Sequence, residues 1–328
     1  MSFLSGKNVL ITGGTGSFGK EFVRQVISQN QVNKLIVFSR DELKQFELSN
    51  EIQSPKLRFF LGDVRDFQRL AMATKDVDVI IHAAAMKQIP AAEYNPMEAI
   101  KTNIIGAENI VNVAIQNKVT KVLALSTDKA ANPANLYGAT KLCSDKLMMS
   151  GNVLSGKVNT KFSVVRYGNV LGSRGSVIPF FLEKRATGAI PITDVRMTRF
   201  WLTLRDGVQF VLNSLEIMEG GEIFVPKIPS FKVVDVANVV CPEIPIKIIG
   251  IRPGEKLHEI MITEDDSLFT YEYDRFYVIY HPSVLSNSNL KKRGKLVEPG
   301  FRFSSDSNSN WHTEESFKKV LLDNGILY

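Results

Sequence analysis

Five short apolar runs punctuate the first half of the chain: KNVLITG, KLIVFSR, LRFFLGD, DVIIHAAA and KVLALST. Each is nearly continuous in β-branched and other apolar residues, the pattern of a strand buried on both faces. Between them, residues 18–30 and 97–117 carry apolar positions at helical spacing. This alternation predicts a doubly wound parallel sheet with helices on both faces, an α/β fold of Rossmann type. KFSVVRYGNVLG adds another strand near residue 165. Beyond it the alternation breaks down, and Pro, Gly and short strands become frequent. The expected division is an α/β domain over residues 1–170 and a smaller domain over 171–328, with the chain returning to the first around 197–226.

Composition narrows the classes. A chain of 328 residues has room for two domains and a sizeable core. No apolar run approaches the ~18 residues a membrane span needs, so no membrane partner is expected. The N-terminal MSFLSGKNVLITGG runs directly into a strand pattern without the blocks of a secretory signal. Cys143 and Cys241 stand far apart and outside any Cys-x-x-Cys or Cys/His cluster. Neither a disulfide framework nor a structural metal site is expected, and a reduced, cytoplasmic setting is. The net charge of +6 favours anionic small molecules. The basic run Lys291, Lys292, Arg293 and Lys295 lacks interleaved aromatics and reads as a solvated loop, so nucleic acid is not the expected partner. SSDSNSN (304–310) reads as a loop as well.

VLITGGTGSFGKEFVRQV places Gly13, Gly16 and Gly19 between the first strand and the first helix, with Thr15, Ser17 and Phe18 in the same loop. Glycines here permit a tight turn, close approach of a pyrophosphate and close helix–strand packing, and the helix start offers free N–H groups to the anion. The second strand ends in Ser39-Arg40, with Lys44 one turn later and Asp41 between. An Arg at this point suits a 2′-phosphate better than a free ribose hydroxyl, so NADP is the expected cofactor.

The stretch ALSTDKAANPANLYGATK (124–141) holds an acid, a base, a phenol and an ammonium in one loop and helix start. Tyr137 and Lys141 are one helical turn apart, on one face. A free phenol at pKa ~10 is too weakly ionised for base catalysis at neutral pH, and a nearby cation favours the phenolate. Tyr137 could then take a proton from an alcohol while hydride leaves its carbon.

The Gly-x-x-Gly-x-x-Gly spacing and the Tyr-x-x-x-Lys pair after the fifth strand resemble the extended short-chain dehydrogenase/reductase family, many of whose members act on nucleotide sugars. STDKAANPANLYGATK, FSRDELKQ, HAAAMKQIPAAEYNP and RYGNVLGSRGSVIPFF resemble its inverting UDP-N-acetylglucosamine 4,6-dehydratases, over residues 7 to about 200. The resemblance implies a fold with a C-terminal substrate-binding domain, a homo-oligomer and a retained, recycled NADP. It implies cofactor contacts for Asp63 and Val64, and for Ala83, Ala84 and Ala85 in HAAAMK, with Lys87 near cofactor or substrate; His82 reads as a strand-end residue. Ser126 and Thr127 lie where the family's hydroxyls meet substrate and share protons with the Tyr. Asp128 and Lys129 stand where retaining dehydratases carry Asp-Glu and simple epimerases lack the acid/base pair. Lys129 is expected as base at C5 and Asp128 as acid at O6; a Lys base must be neutral, so its pKa must fall.

On the substrate side, Asn169 matches the family's diphosphate-holding Asn. Arg174 and the helix start at Val177 could meet an anion, Arg252 and Glu255 in IRPGEKLHE match its diphosphate Arg and ribose acid, and Arg199 is a further candidate. His258 reads as structural. A UDP-sugar C4 epimerase, a retaining dehydratase and a non-catalytic NADP sensor remain alternatives, the last disfavoured by the intact proton-transfer set.

Overall fold

The computed structural model describes residues 3–29, 31–173, 175–282 and 288–327. Arg174 lies outside them. Its first half is built from β1 (Asn8–Thr12), α1 (Ser17–Ser28), β2 (Lys34–Ser39), α2 (Glu42–Glu51), β3 (Leu57–Leu61), α3 (Phe67–Ala73), β4 (Val79–His82), α4 (Ile89–Tyr94), α5 (Pro96–Ile100), α6 (Gly106–Gln116), β5 (Lys121–Thr127), α7 (Leu136–Leu154) and β6 (Lys161–Tyr167). The six strands run parallel in the order β3-β2-β1-β4-β5-β6. Alternate residues of one strand feed two cores. Val9 and Ile11 pack with Phe22 and Val26 on one face, and Leu10 packs with Ile80 and Val122 on the other.

The expected helix over 97–117 is a single run with a widened turn in it. Between α5 and α6, Lys101–Ile105 make i→i+5 hydrogen bonds. This turns Asn103 inward, where its amide bonds both the Met86 N–H and C=O and donates to Thr140 Oγ1. The helix thus braces the loop after β4 against α7.

The second half contributes β7 (Asn169–Val170), α8 (Val177–Lys184), β8 (Ile190–Ile192), β9 (Thr198–Leu202), α9 (Leu204–Ile217), β10 (Glu222–Pro226), β11 (Ser230–Lys232), α10 (Val233–Val240), β12 (Ile246–Ile248), β13 (Ile260–Ile262), β14 (Thr270–Glu272), β15 (Phe276–Tyr280), β16 (Lys295–Leu296), β17 (Phe303–Ser304) and α11 (Glu314–Asp323). β10 extends the large sheet in parallel beside β6, and β15, β14 and β16 follow antiparallel, giving ten strands. The sheet therefore draws on residues 270–296 as well as on the region expected around 197–226, and β9 of that region joins a separate sheet with β7 and β11. A third core, around Phe181, Trp201, Phe231 and Phe317, holds this outer part together.

The strand order reverses at β1/β4. In open α/β sheets that crevice, at the carboxyl ends of the strands, is where ligands sit.

Candidate active site

Two adjoining hollows open at this crevice, one of about 780 Å³ along the strand ends and one of about 220 Å³ between the sheet and the outer part. The larger is of ligand size. It is lined by Gly13, Thr15, Gly16, Ser17, Phe18, Gly19, Ser39, Arg40, Lys44, Asp63, Val64, Ala83, Ala84, Ala85, Tyr137 and Lys141, the expected cofactor residues, and by Lys87, Ser126 and Thr127. Asn169 and Val177 line both hollows, and Arg199, Arg252 and Glu255 the smaller.

The glycine loop fits a dinucleotide phosphate. Gly13 sits at φ +67, and a Cβ there would come within 2.9 Å of Ala84 N. At Gly19 a Cβ would run into the Gly14 backbone, so α1 can lie against the loop only without one. Gly16, at the N-cap of α1, offers no side-chain cap and leaves the first N–H groups facing the hollow. At the end of β2 the Arg40 side chain is exposed, with one guanidinium nitrogen 3.5 Å from Asp63. Asp41 caps α2 by accepting from Lys44 N, and the Lys44 ammonium folds back on it.

α7 starts where it does because Asn135 caps it, its Oδ1 accepting from Gly138 N at 2.9 Å. Its first turns present Tyr137 and Lys141 beside the end of β5. Residues 128–130 form a single tight turn on top, and a Cβ at Gly138 would collide with Lys129 O. Burial pushes the Tyr137 phenol up to about 12, and the cation that most opposes this is Lys129. Lys141 is buried and held below its ordinary value by desolvation, with Asp145 opposing.

Three expectations change here. The Ser126 hydroxyl donates inward to Asp145 Oδ2 at 2.7 Å, so its proton is committed to a buried carboxylate and not to substrate. Arg199, expected at the substrate, spends its donors on backbone: Nη1 on Thr198 O and Leu257 O, and Nη2 on Lys256 O. It braces the 256–259 segment from beneath the smaller hollow. Lys129 was expected below the usual lysine value. Burial does pull it down, but Asp128 and Glu259 outweigh burial and hold it above that value, so it rests as an ammonium. Its Nζ lies 3.0 Å from Asp128 Oδ1 and 3.2 Å from Glu259 Oε1. Asp128 is fully buried and lifted above the ordinary carboxylate range, chiefly by that burial.

Several site residues were not singled out in the sequence. Glu259 and Lys256 line the smaller hollow, and Lys256 Nζ donates to Ala131 O at 2.7 Å. Asn135 Nδ2 donates to Gly254 O at 2.8 Å, so one side chain caps the catalytic helix and ties it to the distal segment. The IRPGEKLHE stretch was legible as charged; its closure over the 128–135 loop was not. Among the described residues no group of His, Cys, Asp and Glu could hold a metal, and no helix is long and apolar enough to cross a membrane.

A Gly-rich loop at the switch point of a parallel sheet, with Tyr137 and Lys141 one turn apart beside it, defines an extended short-chain dehydrogenase/reductase. The chain belongs to the family described as polysaccharide biosynthesis protein, whose model matches residues 9–281. It is 56% identical to the UDP-N-acetylglucosamine 4,6-dehydratase (inverting) of Campylobacter jejuni, over 97% of each chain. It is 41% identical to a UDP-glucose 4-epimerase of Rickettsia canadensis, over 83% of this chain and 82% of that one. Among solved structures, Pen from Bacillus thuringiensis superposes with a TM-score of 0.92 at 37% identity, covering 99% of this chain and 100% of that one.

Proposed function

We propose that the protein dehydrates UDP-N-acetylglucosamine across C5 and C6 with inversion at C5, using NADP, and so supplies a 4-keto-6-deoxy sugar for a bacterial glycan of the pseudaminic acid type. One observation carries this reading: Lys129 lines both hollows and Tyr137 the larger, and Asp128, an acid that burial lifts above the ordinary carboxylate range, lies buried behind Lys129 with Oδ1 3.0 Å from its Nζ. A simple redox site needs only the phenol and its lysine. The 56% identity to an inverting dehydratase supports the same choice.

A bound nicotinamide dinucleotide would accept hydride from C4 and return it to C6. Tyr137 rests as a phenol pushed up to about 12 by burial, so it takes the O4 proton only after losing its own, a loss that the nearby Lys129 ammonium favours. The ketone that results at C4 acidifies C5–H. Lys129, as the free amine, takes the C5 proton, and Asp128 gives its proton to the 6-hydroxyl, which departs as water. Once C6 has regained hydride, a solvent-derived proton delivered to the opposite face of C5 completes the product and sets the inversion. Because Lys129 rests charged, its role as base requires loss of that proton before the C5 step. Arg252, Asn169 and the start of α8 are the groups assigned to the diphosphate, and Glu255 to the ribose. Arg40 and Lys44, with no carboxylate ending β2, support NADP over NAD.

The epimerase reading has the Rickettsia relatives in its favour, but it leaves Asp128 and Lys129 without work. Proton NMR of the protein with UDP-N-acetylglucosamine in deuterated water separates the readings. The expected product has a new C6 methyl, deuterium at C5 and the L-arabino coupling pattern. A D-xylo pattern would mean retention, and a C4-epimerised sugar with no methyl would establish the epimerase.

A further inference from the structure

One ammonium stands between two buried carboxylates, and they do not share it evenly. Lys129 Nζ is 3.0 Å from Asp128 Oδ1 and 3.2 Å from Glu259 Oε1. Glu259 has two further cations, Arg199 Nε at 3.8 Å and Lys256 Nζ at 3.9 Å. Among the described residues the Asp128 side chain has, besides Lys129, one hydrogen-bond partner, the Thr127 hydroxyl, which donates to Oδ1 at 3.0 Å, and its Oδ2 has none. The Lys256 ammonium acts on Asp128 through space, more weakly than on Glu259. Two carboxylates this close do not both ionise readily in a buried site, and the one with more cations keeps the charge.

We propose that Glu259 is a positioning residue that takes the negative charge of this cluster and thereby keeps the proton on Asp128, ready for the leaving hydroxyl. The inference rests on the dehydratase reading above for the use of that proton, while the protonation itself stands on the geometry. Glu259 is well placed for a fixed role. Its N–H donates to Ser305 Oγ at 2.9 Å and its C=O accepts from Ser305 N at 2.8 Å, which locks the backbone at the start of β13. Its side chain is 3% exposed. The directions of titration agree: burial and the charge of Glu259 raise Asp128, whereas Lys129, Arg199 and Lys256 overcome burial to lower Glu259. The other charged or titratable groups facing the cluster are Tyr137 from α7 and Lys87 from the loop after β4.

If Glu259 becomes neutral, Asp128 is the one ionisable carboxylate left against Lys129 among the described residues, and Asp128 ionises. Glu259→Gln should therefore lower the pH above which dehydration fails by about 1–3 units. At a fixed pH above that limit the rate should fall about tenfold per unit. Formation of reduced cofactor in a single turnover, which needs Tyr137 and not Asp128, should persist. Glu259→Asp should restore much of the profile. The readout independent of turnover is infrared: a protonated-carboxyl band at neutral pH, removed by Asp128→Asn and also lost in Glu259→Gln. Should Glu259→Gln fail to fold, Lys256→Met weakens the same hold on charge and should move the limit the same way. An unchanged pH profile with the infrared band intact in Glu259→Gln would overturn the proposal. Absence of any dehydration by the wild-type protein would overturn the functional reading instead, and the infrared comparison would still decide who holds the proton.

Discussion

Arg40 carries its charge at the mouth of the larger hollow, exposed and only loosely held by Asp63. A guanidinium there forms a charge-assisted hydrogen bond to a 2′-phosphate, worth about 1.5–3 kcal/mol. Arg40→Ala should weaken NADP binding by about 10- to 150-fold and leave NAD binding nearly unchanged, as read by fluorescence titration of both cofactors. Equal losses for the two would remove the NADP preference. Lys129→Ala should abolish methyl formation while NADP still binds, whereas Tyr137→Phe should also stop the first oxidation; an NADPH absorbance trace in single turnover distinguishes them. These residues were legible because their signal is local: a glycine spacing, a strand end, a pair one helical turn apart. Glu259, Lys256 and Asp145 were not, because each acts on a partner far along the chain, and nothing in a local window marks a carboxylate as somebody's counter-ion.

At the scale of elements, the catalytic turn and the helix beneath it form one unit. The turn at 128–130 rests on α7 where Gly138 leaves room for Lys129 O, so the glycine of YGATK is a spacer between two pieces of the site. Gly138→Ala must shift the turn or the helix, at a cost of about 1–3 kcal/mol in stability. The methyl-forming rate should drop more than NADP affinity, because the turn carries Asp128 and Lys129 while the glycine loop lies elsewhere; urea melts and binding titrations test both parts. The strands of the first half were readable because a strand covered on both faces is apolar throughout. β14 and β16, three and two residues long, were not, since pieces so short carry no period. The widened turn at Lys101–Ile105 was equally silent. The apolar positions on either side keep a helical rhythm, and what holds the extra residue is Asn103 on Met86 and Thr140, a tertiary cause.

At the scale of the molecule, the site depends on the crevice between β1 and β4, and a buried histidine clamps its floor. Thr12 Oγ1 accepts from the N–H groups of Ala83 and Ala84, each at 3.2 Å, and lies 2.9 Å from His82 Nδ1. With its lone pairs facing two donors, the hydroxyl gives its proton to Nδ1, so His82 is neutral with its own proton on Nε2. Burial, aided by Lys141, depresses its pKa to about 3. The unfolded chain holds this histidine near ~6.5, so between those values the unfolded state binds the extra proton. The stabilisation is thus complete above about pH 6.5 and is lost as pH falls toward 3, at up to about 1.4 kcal/mol per pH unit. Asp128 and Asp145, raised by burial, slope the other way, so the comparison must be with a variant that keeps them. His82→Gln removes the titrating group and retains an amide near Thr12. The stability difference between wild type and variant, from urea melts, should be greatest above pH 6.5 and shrink by about 1.4 kcal/mol per unit below it. A difference that stays constant from pH 7 to pH 5 would show that the crevice floor carries no neutral histidine, and the clamp at the β1/β4 reversal would have to be explained by packing alone.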